Sequence, residues 1–509
     1  MMTIYFMLKR GWNRCIILLG HHEKLYCMDE KHVINGGYNM GNRKADERRY
    51  IGRFTILQEE MDGEIIYNKK LGYIFLDLAK PLDEQTFMGK SYANIAVITG
   101  HINTGAVVTL FNNKCINNHT QVGQTQRLAF SCEYLIWSKD IQTDAKYNEL
   151  VCTLNNAFAW TRMSVFEKTD DGIRRKEHAD SREFSWFGMK IKFVVFSNEG
   201  FWTNFDSEEK TIVQRVQLSI SNDEKQTIDE FVSIRDKILA LISFAIKNNV
   251  NVEDEYLVDY KDSYFITENL EDYHKHYLMY AQRELNIYDM KIWDYNFTLD
   301  LLPDDKDINK ELEKLVPVFN LYLSLFKYKE MPVEMVFLNI VQALETFHSR
   351  FFYEDKKKKY VESVMQRFSD AVIFDELKSK LLSDTQMDEN CNYIILVSRL
   401  NDLLIGNYNT LFIDYWRCED DYAQKIADTR HYYTHYGKSK EKKALKGDDL
   451  KDAIFVLSRL LEYHICLILG IDIEAKVRQS LSSHHSWKQL EEAQLSELKV
   501  NKEQEIERS

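Results

Sequence analysis

The chain has 509 residues, with 66 Lys and Arg against 79 Asp and Glu, and a formal charge of −13. That balance excludes a protein that coats nucleic acid or a membrane through bulk positive charge, and it leaves a local basic site open. An apolar share of 45%, with 13% aromatic residues, excludes a largely disordered chain and suits about three packed domains.

Residues 1–39 read as an N-terminal extension. Their apolar runs, Ile4–Leu8 and Ile16–Leu19, are split by Lys9, Arg10 and Arg14, so no continuous signal-peptide core forms. Met40 opens MGNRKADERRYIGRF, which has the character of a cytosolic start. Residues 40–224 are expected to form a β-rich domain. Fifteen of the 19 glycines precede residue 201, and β-prone runs lie between turn signals. The runs are Gly72–Leu78, Ile95–Thr99, Ala106–Phe111, Leu128–Trp137, Lys190–Phe196 and Ile212–Ile220. Their partial alternation predicts an antiparallel domain, sandwich-like or barrel-like.

No glycine occurs from Phe201 to Ile405, and after Gln226 the apolar period becomes helical. Ile228, Phe231, Ile234, Ile238, Leu241 and Ile242 predict a helix through Lys247. A second helix is expected over Glu271–Leu285, which makes 225–304 a helical linker region. Pro303 with Asp304, Asp305 and Asp307 marks a break and a helix start. Beyond it, 305–483 reads as an all-α domain. Its expected helices cover 308–328, 333–352, 357–383, 390–405, 415–436, 448–469 and 471–482, and 484–509 is a charged tail. The fold class is therefore α+β, a β-rich N-terminal domain followed by a helical bundle.

The eight cysteines form no C-x-x-C and no Cys/His cluster of zinc-ligand spacing. They predict a reducing, cytoplasmic compartment, no metal site and no cofactor. No apolar run reaches about 18 residues, so no membrane span is expected.

Chemistry concentrates in Asp428–Gly437, DTRHYYTHYG. At about 100° per residue His431 and His435 are neighbours on one helix face, and the long side chain of Arg430 can swing to a phosphate they share. Gly437 is expected to end the helix. Lys438, Lys440, Lys442, Lys443 and Lys446 follow within nine residues, opposed by Glu441 alone. RNA phosphodiester chemistry needs this combination: one group moves a proton, one stabilises charge on phosphorus, and others hold the backbone. Lys438, Lys440, Lys442 and Lys443 are the candidate RNA-binding residues. Arg459/His464 is the rival pair, but Leu460 and Leu461 place it in an apolar helix, so His464 reads as a core or dimer-face histidine.

Arg430-His431-x-x-x-His435 resembles the Arg-polar-x3-His motif of HEPN-domain ribonucleases. With Val108–Cys115, Phe130–Ser138 and Ile340–Phe347 in support, most of residues 45–480 resemble the ApeA-type anti-phage proteins, which join a β-rich domain to a C-terminal HEPN domain. One departure is Gly437, where nucleotidyltransferase-paired HEPN toxins often carry Tyr. The resemblance implies metal-independent RNA cleavage, with tRNA as the family-level target, and abortive infection as the outcome. It implies His435 as general base or acid, Arg430 as stabiliser of the phosphorane and His431 as an orienting group. It also implies a homodimer built through the HEPN domain and a phage-derived trigger at the β-rich domain. A non-catalytic HEPN scaffold in a defence or stress complex is the alternative.

Several residues carry plainer expectations. Glu345 is either an inward partner of Arg430 or a surface or structural ion pair. His274 and His276, two apart on the expected second helix, point to different faces. Lys356–Lys359 reads as an exposed loop, and His484 and His485 as solvated. Phe337, Phe347 and Phe351 read as core packing, as do Cys132 and Trp137.

Overall fold

The computed structural model describes residues 15–19, 25–29, 47–69, 71–80, 93–119, 126–138, 141, 146–203, 208–260, 276–280, 294–304, 308–327, 331–352, 396–404 and 422–484. The expected helix 357–383, the lysines 356–359, His274, His485 and the charged tail after 484 lie outside these residues. At the start, β1 (Cys15–Leu19) and β2 (Leu25–Asp29) pair as an antiparallel hairpin.

Six strands then close a barrel: β3 (Arg48–Ile56), β4 (Glu59–Asn68), β5 (Tyr73–Lys80), β6 (Asn94–Ile102), β7 (Val107–His119) and β8 (Gln126–Cys132). Their order is β7-β6-β3-β4-β5-β8, and β8 returns to β7, so the ring has no open edge. Period-2 patterning fills the interior: on β5, Ile74, Leu76 and Leu78 are fully buried while Tyr73, Phe75 and Asp77 between them are half-buried. Gly100 is needed on β6, because a Cβ there would stand 2.4 Å from Cδ1 of the Phe54 ring. The alternation left a sandwich or a barrel open, and closure through β7 and β8 decides for a barrel.

The wall branches at β7. Its residues from Lys114 to His119 pair with β8, and Val107–Phe111 pair instead with β9 (Tyr134–Ser138). The run Leu128–Trp137, read as one strand, is thus two strands divided at Glu133. The corner is held by Glu133 N–H donating to Phe111 O at 3.2 Å and by Asn112 Nδ2 donating to Glu133 Oε2 at 2.9 Å. Hydrophobic patterning runs unbroken through such a corner, because both halves bury apolar residues, on different partners.

From β9 an open antiparallel sheet continues in the order β9-β17-β16-β10-β15-β14-β13. Its further strands are β10 (Lys146–Asn155), β13 (Ser181–Trp186), β14 (Met189–Thr203), β15 (Glu208–Thr227), β16 (Asn251–Val258) and β17 (His276–Tyr280). A short helix α1 (Phe158–Thr161) and a hairpin of β11 (Phe166–Thr169) with β12 (Gly172–Arg175) follow β10 in the chain. The reading of 225–304 as a helical linker is corrected here. Helix α2 (Ile228–Ile246) forms as expected, started by a capping box between Thr227 and Glu230. The chain then returns to the sheet as β16 and β17. The expected helix over Glu271–Leu285 contains β17, which fills the gap between β16 and β9. Short apolar runs satisfy either period, and the unpaired strand edges on both sides select the strand.

Among the described residues, the helices of the bundle are α3 (Asn309–Lys327), α4 (Val333–Phe351), α5 (Leu396–Leu404), α6 (Tyr422–His435), α7 (Lys438–Glu441), α8 (Gly447–Leu469) and a last helix over 474–484. Phe337, Ile340, Leu344 and Phe347 of α4 are fully buried, as are Leu457, Leu460 and Leu461 of α8. Phe351 is half-buried and stacks on Phe347 at 4.8 Å. One core runs on from the open sheet into the bundle, where Phe244 of α2 packs on Phe319 and Tyr322 of α3 at 5.3 and 5.4 Å. His484, expected in solvent, is docked: its Nε2 lies 2.6 Å from Asp452 Oδ1 and its ring stacks on Phe455 at 4.1 Å. Among the described residues no helix is long and apolar enough to cross a membrane.

His464 is a core histidine. It is 1% exposed, its Nε2 lies 2.8 Å from Leu403 O, and burial lowers its pKa to about 4. The unfolded chain, with an ordinary histidine pKa of about 6.5, therefore binds more protons between pH 6.5 and 4. Stability contributed by the neutral buried ring is present above pH 6.5 and lost on acidification. This one residue is expected to cost about 2 kcal/mol between pH 7 and 5. Urea unfolding at the two pH values should show the loss, and a His464→Gln protein should show a smaller pH dependence by about that amount.

Candidate active site

Helix α6 carries Arg430, His431 and His435, and its inner face decides how they stand. Ala423, Ile426 and Thr429 are buried toward the bundle, which leaves His431 and His435 exposed on the far side. The two imidazole rings lie 4.8 Å apart, the adjacency their i, i+4 spacing predicts. Arg430 turns to α4 instead, where its Nη2 lies 3.6 Å from Oε2 of Glu345. Glu345 is thus an ion-pair partner of Arg430, and it sits on the strongly apolar helix the arginine packs beside. Phe337 of α4 meets Tyr433 of α6 edge-on at 6.4 Å, which helps fix the two helices together.

The helix ends one residue earlier than its glycine suggests. His435 is the last helical residue, Tyr436 takes the left-handed conformation at φ +50°, and its N–H donates to Tyr432 O at 2.5 Å. Gly437 keeps an ordinary φ of −71° and starts the short α7. The lysine-rich segment is therefore partly helical, and it is folded back onto α6. Leu445 N–H donates to Thr429 Oγ1 and Tyr433 Oη donates to Leu445 O, both at 3.0 Å.

Asp428 is the third anchor. It is 5% exposed and sits 2.5 Å from Lys440 Nζ and 4.0 Å from Lys443 Nζ. Burial alone would raise its pKa. The hydrogen bonds from Lys440 and Gln424 and the charges of both lysines outweigh that and hold it below the usual carboxylate range.

The four candidate RNA-binding lysines divide accordingly. Lys438, Lys442 and Lys443 are exposed, Lys443 with its Nζ 4.0 Å from Asp428, while Lys440 is spent on that carboxylate. Lys446 reaches over the Tyr432 ring at 5.3 Å and pairs with Glu441 at 3.5 Å. Sequence reasoning missed Asp428, Tyr433 and Tyr436. No local pattern ties Asp428 to a lysine twelve positions on, because the reversal of the chain after α6 brings them together. The rival Arg459 is committed elsewhere, its Nη2 2.8 Å from the buried Glu462.

Two family models match the chain. ApeA N-terminal domain 1 matches residues 49–310 and Apea-like HEPN matches residues 338–474. Searches of curated proteins and of solved structures give no significant match. The first match runs through α2, β16 and β17, in keeping with their place in or on the sheet. The second contains Glu345, Arg430, His431, His435 and the lysines around them. The N-terminal match alone spans just over half of the chain, and the HEPN match follows it in order. The chain therefore belongs to the ApeA family of defence-related HEPN proteins.

Proposed function

We propose that this protein is an endoribonuclease of an anti-phage abortive-infection system, which cleaves RNA at Arg430, His431 and His435 without a metal ion. The observation that carries the reading is the pair of exposed histidines 4.8 Å apart at the end of α6, next to an arginine that Glu345 orients. In this reading His435 takes the proton of a ribose 2′-OH, whose oxygen attacks the adjacent phosphorus. The bond to the 5′-oxygen breaks, and that oxygen leaves with the proton, which His435 hands on to it. Arg430 stabilises the negative charge on the phosphorane, and His431 orients or polarises the phosphate. Exposed Lys438, Lys442 and Lys443 lend charge to hold the backbone, with Lys440 on Asp428 shaping the loop that carries them.

HEPN domains often dimerise, and two copies of α6 facing each other across a homodimer would set two such sites in one cleft. The β-rich domain is assigned the role of sensing a phage-derived trigger, tRNA that of target, and the cytoplasm that of location. The test is purified protein incubated with RNA in EDTA. Cleavage that leaves 2′,3′-cyclic phosphate and 5′-hydroxyl ends is expected. Ends bearing 3′-hydroxyl groups, or no cleavage at all, would defeat the proposal.

A further inference from the structure

Tyr436 and Tyr260 are exposed tyrosine side chains, and Tyr436 is the more open, 65% against 42%. Tyr260 has a structural task, since its hydroxyl donates to Glu149 Oε2 at 2.9 Å. Tyr436 stands where a bulky residue is least expected. Its φ of +50° is the left-handed helix-ending conformation that glycine adopts at no steric cost, yet the neighbouring Gly437 does not use that freedom. Local folding economy would exchange the two residues. A strained backbone holding a large ring in solvent beside exposed histidines points to work for the ring.

Its surroundings indicate the ligand. Tyr436 directly follows His435, and its ring meets Tyr432 and Tyr433 edge-on at 5.5 and 6.3 Å. These contacts brace it from one side, and the exposure leaves ring surface open on the other. Exposed Lys438 and Lys442 follow within six residues. An aromatic surface bordered by cations fits an anionic polymer of flat aromatic groups, which is a single-stranded nucleic acid.

We propose that Tyr436, braced by Tyr432 and Tyr433, is a stacking platform for the base beside the scissile phosphate of a single-stranded RNA. Placing the scissile phosphate at His435 rests on the ribonuclease reading above; the platform itself rests on the exposure, backbone and bracing of Tyr436. Splaying a base onto the ring would open the 2′-OH and phosphate next to it, and would favour loops over duplexes.

The experiment uses the full chain and a fluorescently labelled oligouridylate, with an abasic oligomer of the same length as control. Binding is read by anisotropy in a His435→Ala background, and KM and kcat are read with His435 intact. Tyr436→Asn removes the ring and suits the left-handed backbone, so the turn is kept; Tyr436→Phe keeps the ring. Tyr436→Asn is expected to weaken binding and raise KM by about tenfold. Tyr436→Phe should restore both to within about twofold of the tyrosine protein, and the abasic oligomer should bind all three alike. Unchanged binding in Tyr436→Asn would overturn the platform, as would a loss in Tyr436→Phe equal to that in Tyr436→Asn. If the wild-type protein cleaves no RNA, the anisotropy comparison still decides the platform. If it cleaves RNA and Tyr436→Asn matches it in both readings, the platform is wrong and the ribonuclease reading stands.

Discussion

His435→Ala is expected to lower RNA cleavage by roughly 10²- to 10⁴-fold, the usual contribution of a positioned proton-transfer group. Its thermal midpoint should stay near that of the wild type, because His435 is exposed at the end of α6 and its loss opens no cavity. Loss of activity without loss of fold separates chemistry from scaffolding. Overexpression of the wild type should be toxic and that of His435→Ala tolerated, and sequencing of RNA ends after induction should show cleavage sites in the first culture alone. Arg430→Lys should also be crippled. An ammonium keeps the charge but lacks the planar fork that can grip Glu345 and a phosphate together. Full cleavage by the His435→Ala protein would remove the catalytic assignment.

Glu462→Ala is expected to have the largest effect on stability. The Glu462 carboxylate is 1% exposed and holds three groups at once. Tyr322 Oη donates to Oε1 at 2.5 Å, Arg459 Nη2 donates to the same oxygen at 2.8 Å, and Lys247 Nζ lies 3.2 Å from Oε2. Lys247 ends α2 and is itself buried, and burial lowers its pKa to about 8 against the pull of Glu462. Removing the carboxylate leaves a buried ammonium and a guanidinium without their counter-charge, which costs about 3–5 kcal/mol. Urea unfolding should show that loss, and Lys247→Met added to Glu462→Ala should recover part of it. A loss below about 1 kcal/mol would show that the network carries little. Lys247 lies in the N-terminal family match and Glu462 in the HEPN match, so the same network joins the two regions.

Much of the bundle is legible in the amino-acid pattern. Helices α4 and α8 bury repeating apolar positions over many turns, and a period sustained that long has one reading. The i, i+4 spacing of His431 and His435 likewise implies their proximity through local geometry alone. Short runs are less decisive. β17 has only five residues, and its strand state comes from two flanking strands far away in the chain. Division of the run 128–137 at Glu133 depends on a partner strand, β7, that pairs with two neighbours in succession along one edge.

The site divides along the same line. Sequence alone determined that Arg430, His431 and His435 lie within two turns of one helix, where spacing sets position. Tertiary structure decided what each is free to do. It set Arg430 against Glu345, tied Lys440 to Asp428, left Lys438 and Lys442 in solvent, and put Tyr436 rather than Gly437 at the left-handed turn. Those outcomes depend on α4 packing against α6 and on the chain reversing after His435. Neither leaves a periodic trace, because contacts between distant segments are chosen by the packing of the whole core.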